Sequence, residues 1–247
     1  MRYQLAQAFR FTLLMTVLTG LIYPGVVTGL CQLLLSRPAN GSLLEVNGKI
    51  VGSTLLGQNF SKPEYFHPRP SAAGSGYDAT ASSGTNLGPT SAKLLHGTTK
   101  TDDKGKEVVD FDGLEDRIVH YCVDNNIPFE SSTPLSEFKD AHGDLDDVKL
   151  IKAFNDPKTP LVFTPKSAIP SDAVTASASG LDPDISPASA LAQAPRIAQA
   201  RGIAVDQLTQ FIGTHTVGRR LGFLGEPRVN VLLLNLDLNQ NFPMGKP

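Results

Sequence analysis

Five histidines, two cysteines and a few closely spaced aspartates are the side chains of this 247-residue chain best suited to catalysis or metal binding. His67, His96, His120, His142 and His215 are scattered. None forms an H-x-x-x-H or H-E-x-x-H pair, the spacing that puts two imidazoles on one helical face for zinc. No G-x-S-x-G elbow is present. A serine–histidine–aspartate set is defined by geometry rather than chain order, so a tethered serine hydrolase using His67 or His215 stays open as an alternative. Gly48-Lys49 runs into Ile50 and lacks the upstream glycine of a phosphate-binding loop. Gly74-Ser75-Gly76-Tyr77-Asp78-Ala79 fits G-x-G-x-x-A, but no strand leads in and no helix leads out, so the match reads as chance. Cys31 and Cys122 lie in dissimilar surroundings and read as unpaired and inert. Asp182 and Asp184 precede Ser186-Pro187, where carboxylates suit the positive end of a helix, and they read as caps rather than metal ligands. Arg196, Arg201, Arg219, Arg220 and Arg228 read as a solvated basic face. No catalytic residue and no metal site is assigned.

The elements that must position these groups start with a membrane segment. Phe11 to Ser36 is 26 residues without a charge, bounded by Arg10 and Arg37. A helix of that length crosses a hydrocarbon core of about 30 Å. The run is longer than a signal h-region and no A-x-A site follows it, so it reads as an uncleaved span over residues 11–35. Thr12, Thr16 and Thr19 share one face, Gly20 precedes Pro24, and Gly25 and Gly29 form a GxxxG. Small residues and hydroxyls of this kind let helices approach and bond, which predicts packing against partner helices. A homodimer through Gly25 and Gly29 is a second possibility. Pro24 predicts a kink. Arg2 and Arg10 favour residues 1–10 on the cytoplasmic side.

The remainder, residues 36–247, has the composition of a folded domain. The whole chain is 40% hydrophobic and 19% charged, with net charge −2, no tryptophan and a pI near 6.2. That balance excludes the basic footprint of a nucleic-acid binder. Asn47-Gly48 between two short apolar runs predicts a hairpin with a type I′ turn. Residues 61–89 are rich in Pro, Gly and Ser, yet Tyr65, Phe66, Tyr77 and Leu87 predict an ordered, extended loop. Residues 97–166 carry 9 basic and 15 acidic groups and read as a charged insert with a small core of its own. Within it, Leu114, Ile118 and Tyr121 predict a helix over 114–122. Ser186-Pro187 opens a second helix that Pro195 should bend and Gly202 should stop. A third spans 205–215, and 229–238 reads as a buried strand. The expected fold is one N-terminal transmembrane helix followed by a mixed α/β domain.

Several short segments, in order, resemble one family. They are Thr19-Gly20-Leu21-Ile22-Tyr23-Pro24, Tyr65-Phe66-His67-Pro68-Arg69-Pro70-Ser71, Ser82-Ser83-Gly84-Thr85-Asn86-Leu87-Gly88-Pro89, Ser179-Gly180-Leu181-Asp182-Pro183 and Leu221-Gly222-Phe223-Leu224-Gly225-Glu226-Pro227-Arg228-Val229-Asn230. They look like the C subunit of the Kdp potassium-transporting ATPase. The resemblance covers about residues 5–95 and 170–238, leaving the charged insert unexplained. It implies a non-catalytic, single-span subunit of a bacterial inner-membrane potassium uptake complex, with its soluble domain extracytoplasmic. The implied partners are a channel-like A subunit and a P-type B subunit that hydrolyses ATP. The implied role is that of a catalytic chaperone assisting assembly and ATP binding, with ATP reached through the complex. Gln193 matches a family glutamine linked to nucleotide, although the aromatic residue usual before it is Ala192 here. An extracytoplasmic domain lies apart from cytoplasmic ATP, so an indirect nucleotide effect is expected.

Overall fold

The computed structural model describes residues 2–244, and the chain forms two compact units that divide between Leu55 and Leu56. In the first unit, α1 (Arg2–Val17), a π-helical turn (Leu18–Ile22) and α2 (Tyr23–Leu34) form a single run of 33 residues with no buried positions, and an 18-residue stretch of it has mean hydropathy 1.8. At 1.5 Å per residue it is about 50 Å long, more than the hydrocarbon core requires. Pro24 is the second residue past the π-turn, and the Tyr23 N–H reaches back to the Leu18 carbonyl. The wider turn accommodates the donor-less proline, so the helix continues through it. Past α3 (Ser36–Ala39), β1 (Leu43–Val46) and β2 (Lys49–Ser53) pair antiparallel. Asn47 and Gly48 both have positive φ, 52° and 75°, as the type I′ turn requires.

In the second unit α4 (Ala92–His96) leads into a hairpin of β3 (Thr98–Thr101) and β4 (Glu107–Phe111). Then come α5 (Leu114–Asp124), β5 (Phe129–Ser131), α6 (Asp147–Phe154) and β6 (Phe163–Pro165), with β5 and β6 antiparallel. Val119, Leu150, Phe154 and Leu161 make a small apolar cluster inside this charged stretch. The helix at 114 forms as expected, but its buried stripe is Asp116, Val119 and Cys122 rather than Leu114, Ile118 and Tyr121. An aspartate therefore occupies a core position.

The larger core belongs to the C-terminal third. Here α7 (Ser171–Val174) and β7 (Asp184–Ile185) precede α8 (Pro187–Arg201) and α9 (Val205–His215), and β8 (Thr216–Val217), β9 (Arg228–Asn230) and α10 (Val231–Asn241) follow. The strands form an antiparallel sheet in the order β7-β9-β8. Ala194, Ile197, Leu208, Ile212, Val229, Leu234 and Leu238 pack together with Phe66 of the extended loop. Helix α8 starts at the Ser186 cap, whose hydroxyl accepts the Ser189 N–H at 3.0 Å, and stops at Gly202 in the left-handed region. It runs through Pro195, and the carbonyl left without a donor is that of Leu191, a solvent-exposed position.

Three expectations are corrected. Residues 229–238 are a strand only as far as Asn230. There the Asn230 carboxamide accepts the Leu233 N–H at 3.1 Å, and burial at 231, 234, 235 and 238 follows the helical period. Asp182 and Asp184 do not cap α8. They pair with Arg69 at 2.7 Å and Arg228 at 3.0 Å, while Asp172 accepts the Ser186 N–H and hydroxyl at 2.6 and 2.8 Å. Nor is the arginine group a solvated face, because Arg196 is buried and Arg201 bonds the Glu64 and Phe242 carbonyls.

Candidate functional site

Loop residues Lys62 to Asp78 have no regular secondary structure, so their backbone groups need partners from elsewhere. Two carboxamides supply them. Asn235 of α10 accepts the Phe66 N–H and donates to the Phe66 carbonyl, both at 2.9 Å. Gln193 of α8 accepts the His67 N–H at 2.7 Å and donates to the His67 carbonyl at 3.2 Å. Consecutive loop residues are thus held as a strand would hold them, but by side chains. Arg196 and Arg201 bond the Pro63 and Glu64 carbonyls, and the Tyr77 hydroxyl donates to the Arg69 carbonyl at 2.8 Å. Ser71 donates to the Gly180 carbonyl at 2.6 Å and receives the Tyr77 N–H at 2.9 Å.

This loop forms one side of a cleft of about 530 Å³. His67 and Arg69 line it from the loop, Phe60 from just before it, and Asp116, Arg117, His120 and Asp147 from α5 and α6. Gln193 lies at its floor and is 2% exposed. Its oxygen also accepts from Arg196 at 2.9 Å, and its nitrogen also donates to Ser189 Oγ at 3.5 Å. All four hydrogen-bonding positions of this carboxamide are occupied. A ligand could bond it only by releasing His67, Ser189 or Arg196.

The opposite wall is less complete. Asp116 is 2% exposed, and its Oδ1 has no hydrogen-bond partner. Burial raises its carboxyl to about 7, with Asp147 and Asp112 adding to the rise and His120 and Arg117 opposing it. His120 Nε2 lies 2.8 Å from Asp147 Oδ1, and that bond raises the imidazole above its ordinary value. Arg117 is held by Asp112 in a bidentate pair at 2.6 and 2.8 Å. His67, by contrast, is lowered by burial and by nearby Arg196, and its Nε2 faces the Lys62 carbonyl at 3.0 Å.

The other candidates from the sequence lie apart from the cleft. His215 bridges the Phe211 carbonyl and Asp237, at 2.9 Å from each. Among the described residues no serine hydroxyl bonds an imidazole, so no serine–histidine–carboxylate chain is assembled. Cys122 is buried and its thiol is pushed up to about 11, an inert setting. In the first unit, Thr12 and Thr16 lie on α1, with Thr19 and Gly20 in the π-turn and Pro24, Gly25 and Gly29 on α2. Thr19 donates to the Met15 carbonyl at 2.6 Å, and a methyl group built on Gly20, Gly25 or Gly29 meets nothing within 4 Å.

Sequence reasoning missed Asp116, Asp147 and Asn235. The four-residue spacing of Asp116 and His120 on one helix was a usable signal. Asn235 inside a leucine-rich run gave none.

Fold and site together define a small mixed α/β protein preceded by one apolar helix of membrane-crossing length, with a cleft held open by side-chain-to-backbone bonds. The profile of the family described as "K+-transporting ATPase, c chain" (KdpC) matches residues 5–112 and 147–240. The chain belongs to this family. It is 42% identical over 240 residues to a protein of Mycobacterium tuberculosis (strain ATCC 25177 / H37Ra), covering 97% of this chain and all of that one. It is 40% identical over 247 residues to one of Koribacter versatilis, covering both in full. A third relative, from Caulobacter vibrioides, is 43% identical over 231 residues, 93% of this chain and 89% of its own. Each is named "Potassium-transporting ATPase KdpC subunit". The family match leaves out residues 113–146, a shorter stretch than the charged region at 97–166.

Proposed function

We propose that this chain is a non-catalytic subunit of an ATP-driven potassium pump. Its helix at 11–35 docks on helices of a channel-like subunit and a P-type subunit, and its domain assists their assembly and ATP binding. The observation that carries this reading is the helix itself, which presents an exposed apolar surface with open notches at Gly20, Gly25 and Gly29. The relatives' shared name supplies the setting. Residues 1–10 lie in the cytoplasm, as Arg2 and Arg10 favour, and the folded domain lies outside. ATP then stays with the P-type subunit, and this chain acts on it through protein contacts. Gln193 serves by holding the loop at His67. The tip between β8 and β9 carries Leu221 and Phe223, 81% and 69% exposed, and offers the domain's own apolar contact to the assembly.

Affinity purification of the tagged full-length chain from potassium-starved native membranes in mild detergent tests this directly. Mass spectrometry should recover a channel-like subunit and a P-type ATPase, and Gly25→Leu with Gly29→Leu should reduce that recovery. If the chain purifies alone from membranes containing both subunits, the reading fails.

A further inference from the structure

The geometry points to a binding site for one divalent transition-metal ion at the cleft wall, held by Asp116, His120 and Asp147. These residues come from two helices, α5 and α6, and one ligand atom of each lies within 4.8 Å of the others. Around a zinc ion at about 2.0–2.2 Å such atoms would stand about 3.5 Å apart, so the His120–Asp147 pair, at 2.8 Å, opens by less than an ångström and the wider separations close by up to about an ångström. Asp147 and His120 are half-exposed and now bond each other at 2.8 Å, a contact that an ion would replace.

The independent observation is Asp116. A carboxylate at a core position of an amphipathic helix, 2% exposed and with one oxygen unpartnered, is a costly arrangement. Replacing it with an apolar residue would complete the stripe of Val119 and Cys122. An ion supplies what that oxygen lacks and offsets the burial of its charge. One imidazole with two carboxylates is a nitrogen-and-oxygen set suited to zinc, manganese or cobalt, whereas calcium and magnesium favour all-oxygen shells. Three protein ligands leave at least one position facing the cleft. Arg117 is already neutralised by Asp112, so it does not repel the ion strongly. Asp116 and His120 lie in 113–146, outside the family match, and Asp147 is the first residue after it. The site therefore straddles the edge of the family match, and it does not depend on the proposed transport role.

The test uses the tag-free full-length chain in detergent, stripped with a chelator and titrated with Zn²⁺ against a chromophoric competitor. One ion should bind per chain, without competition from millimolar Mg²⁺. Asp116→Asn and His120→Gln should each weaken binding by more than the roughly 10–100-fold that outer-shell partners cost, and His215→Gln should leave it unchanged. Asp147→Asn, at a half-exposed position, provides a variant that keeps the fold. Co²⁺ absorption offers a second readout, with d–d bands that vanish in the same variants. Absence of binding by the wild-type chain overturns the inference, as does binding that survives all three substitutions.

Discussion

The two sides of the cleft treat buried polar groups in opposite ways. On the loop side, Gln193 and Asn235 spend their hydrogen bonds on the backbone of Phe66 and His67. On the wall formed by α5 and α6, Asp116 is just as buried and leaves an oxygen with nothing. A saturated polar group fixes a conformation, and it resists a ligand because each new bond must displace an old one. An unsatisfied one costs stability and gains from a ligand. The loop side falls within the family match and Asp116 falls outside it. The holding side thus lies on the part of the chain that the family profile matches, whereas the unsatisfied oxygen sits in the stretch that the profile leaves out.

Asn235→Leu tests the holding side most severely. It leaves both the N–H and the carbonyl of Phe66 buried without partners, and the denaturant midpoint should fall by the equivalent of about 4 kcal/mol. Gln193→Ala should cost about 2–3 kcal/mol, because His67 is only partly buried and water can reach some of what is freed. An unchanged urea midpoint for either would mean the loop is held by something else.

Asp116→Asn should act in the opposite sense. The folded carboxyl titrates near 7 and the unfolded one near 3.8, so between those values the folded chain holds the extra proton. Stability then falls as pH rises through that window. His120, raised by Asp147, adds a loss of the same sign, while Arg117 is committed to Asp112. The asparagine variant removes the Asp116 part, and at about pH 8 it should be more stable than wild type by about 2 kcal/mol, with a smaller difference near pH 5. Unfolding curves at the two pH values in metal-free buffer measure this, and equal pH dependence in both proteins would remove the unsatisfied wall from the account. The smallest effect should come from Lys166→Ala. Its ion pair with Glu130 is mostly solvent-exposed, and the midpoint should not move.

What could be read from sequence divides along the same line. The Asn47-Gly48 turn, the Ser186 cap, the Gly202 stop and the helix at 205–215 are local, each fixed by a few adjacent residues. Helix α10 was misread because its leucines alternate nearly as well as they repeat at the helical period, and the cap at Asn230 decides between the two. The holding pairs join residues 126 and 169 positions apart, and no local pattern marks them. Asp116 was hidden because the apolar residues of α5 suggested a stripe through Leu114, Ile118 and Tyr121. Packing against the cluster at Leu150 and Phe154 selected another face.

The central claim is that Gln193 holds the loop and does not itself bind nucleotide. Calorimetric titration of ATP into the full-length chain alone, for wild type and Gln193→Ala, tests it alongside their urea midpoints. The account predicts no saturable ATP binding to either protein and a lower midpoint for the variant. Saturable binding to the wild type, lost in Gln193→Ala with the midpoint unchanged, would contradict it.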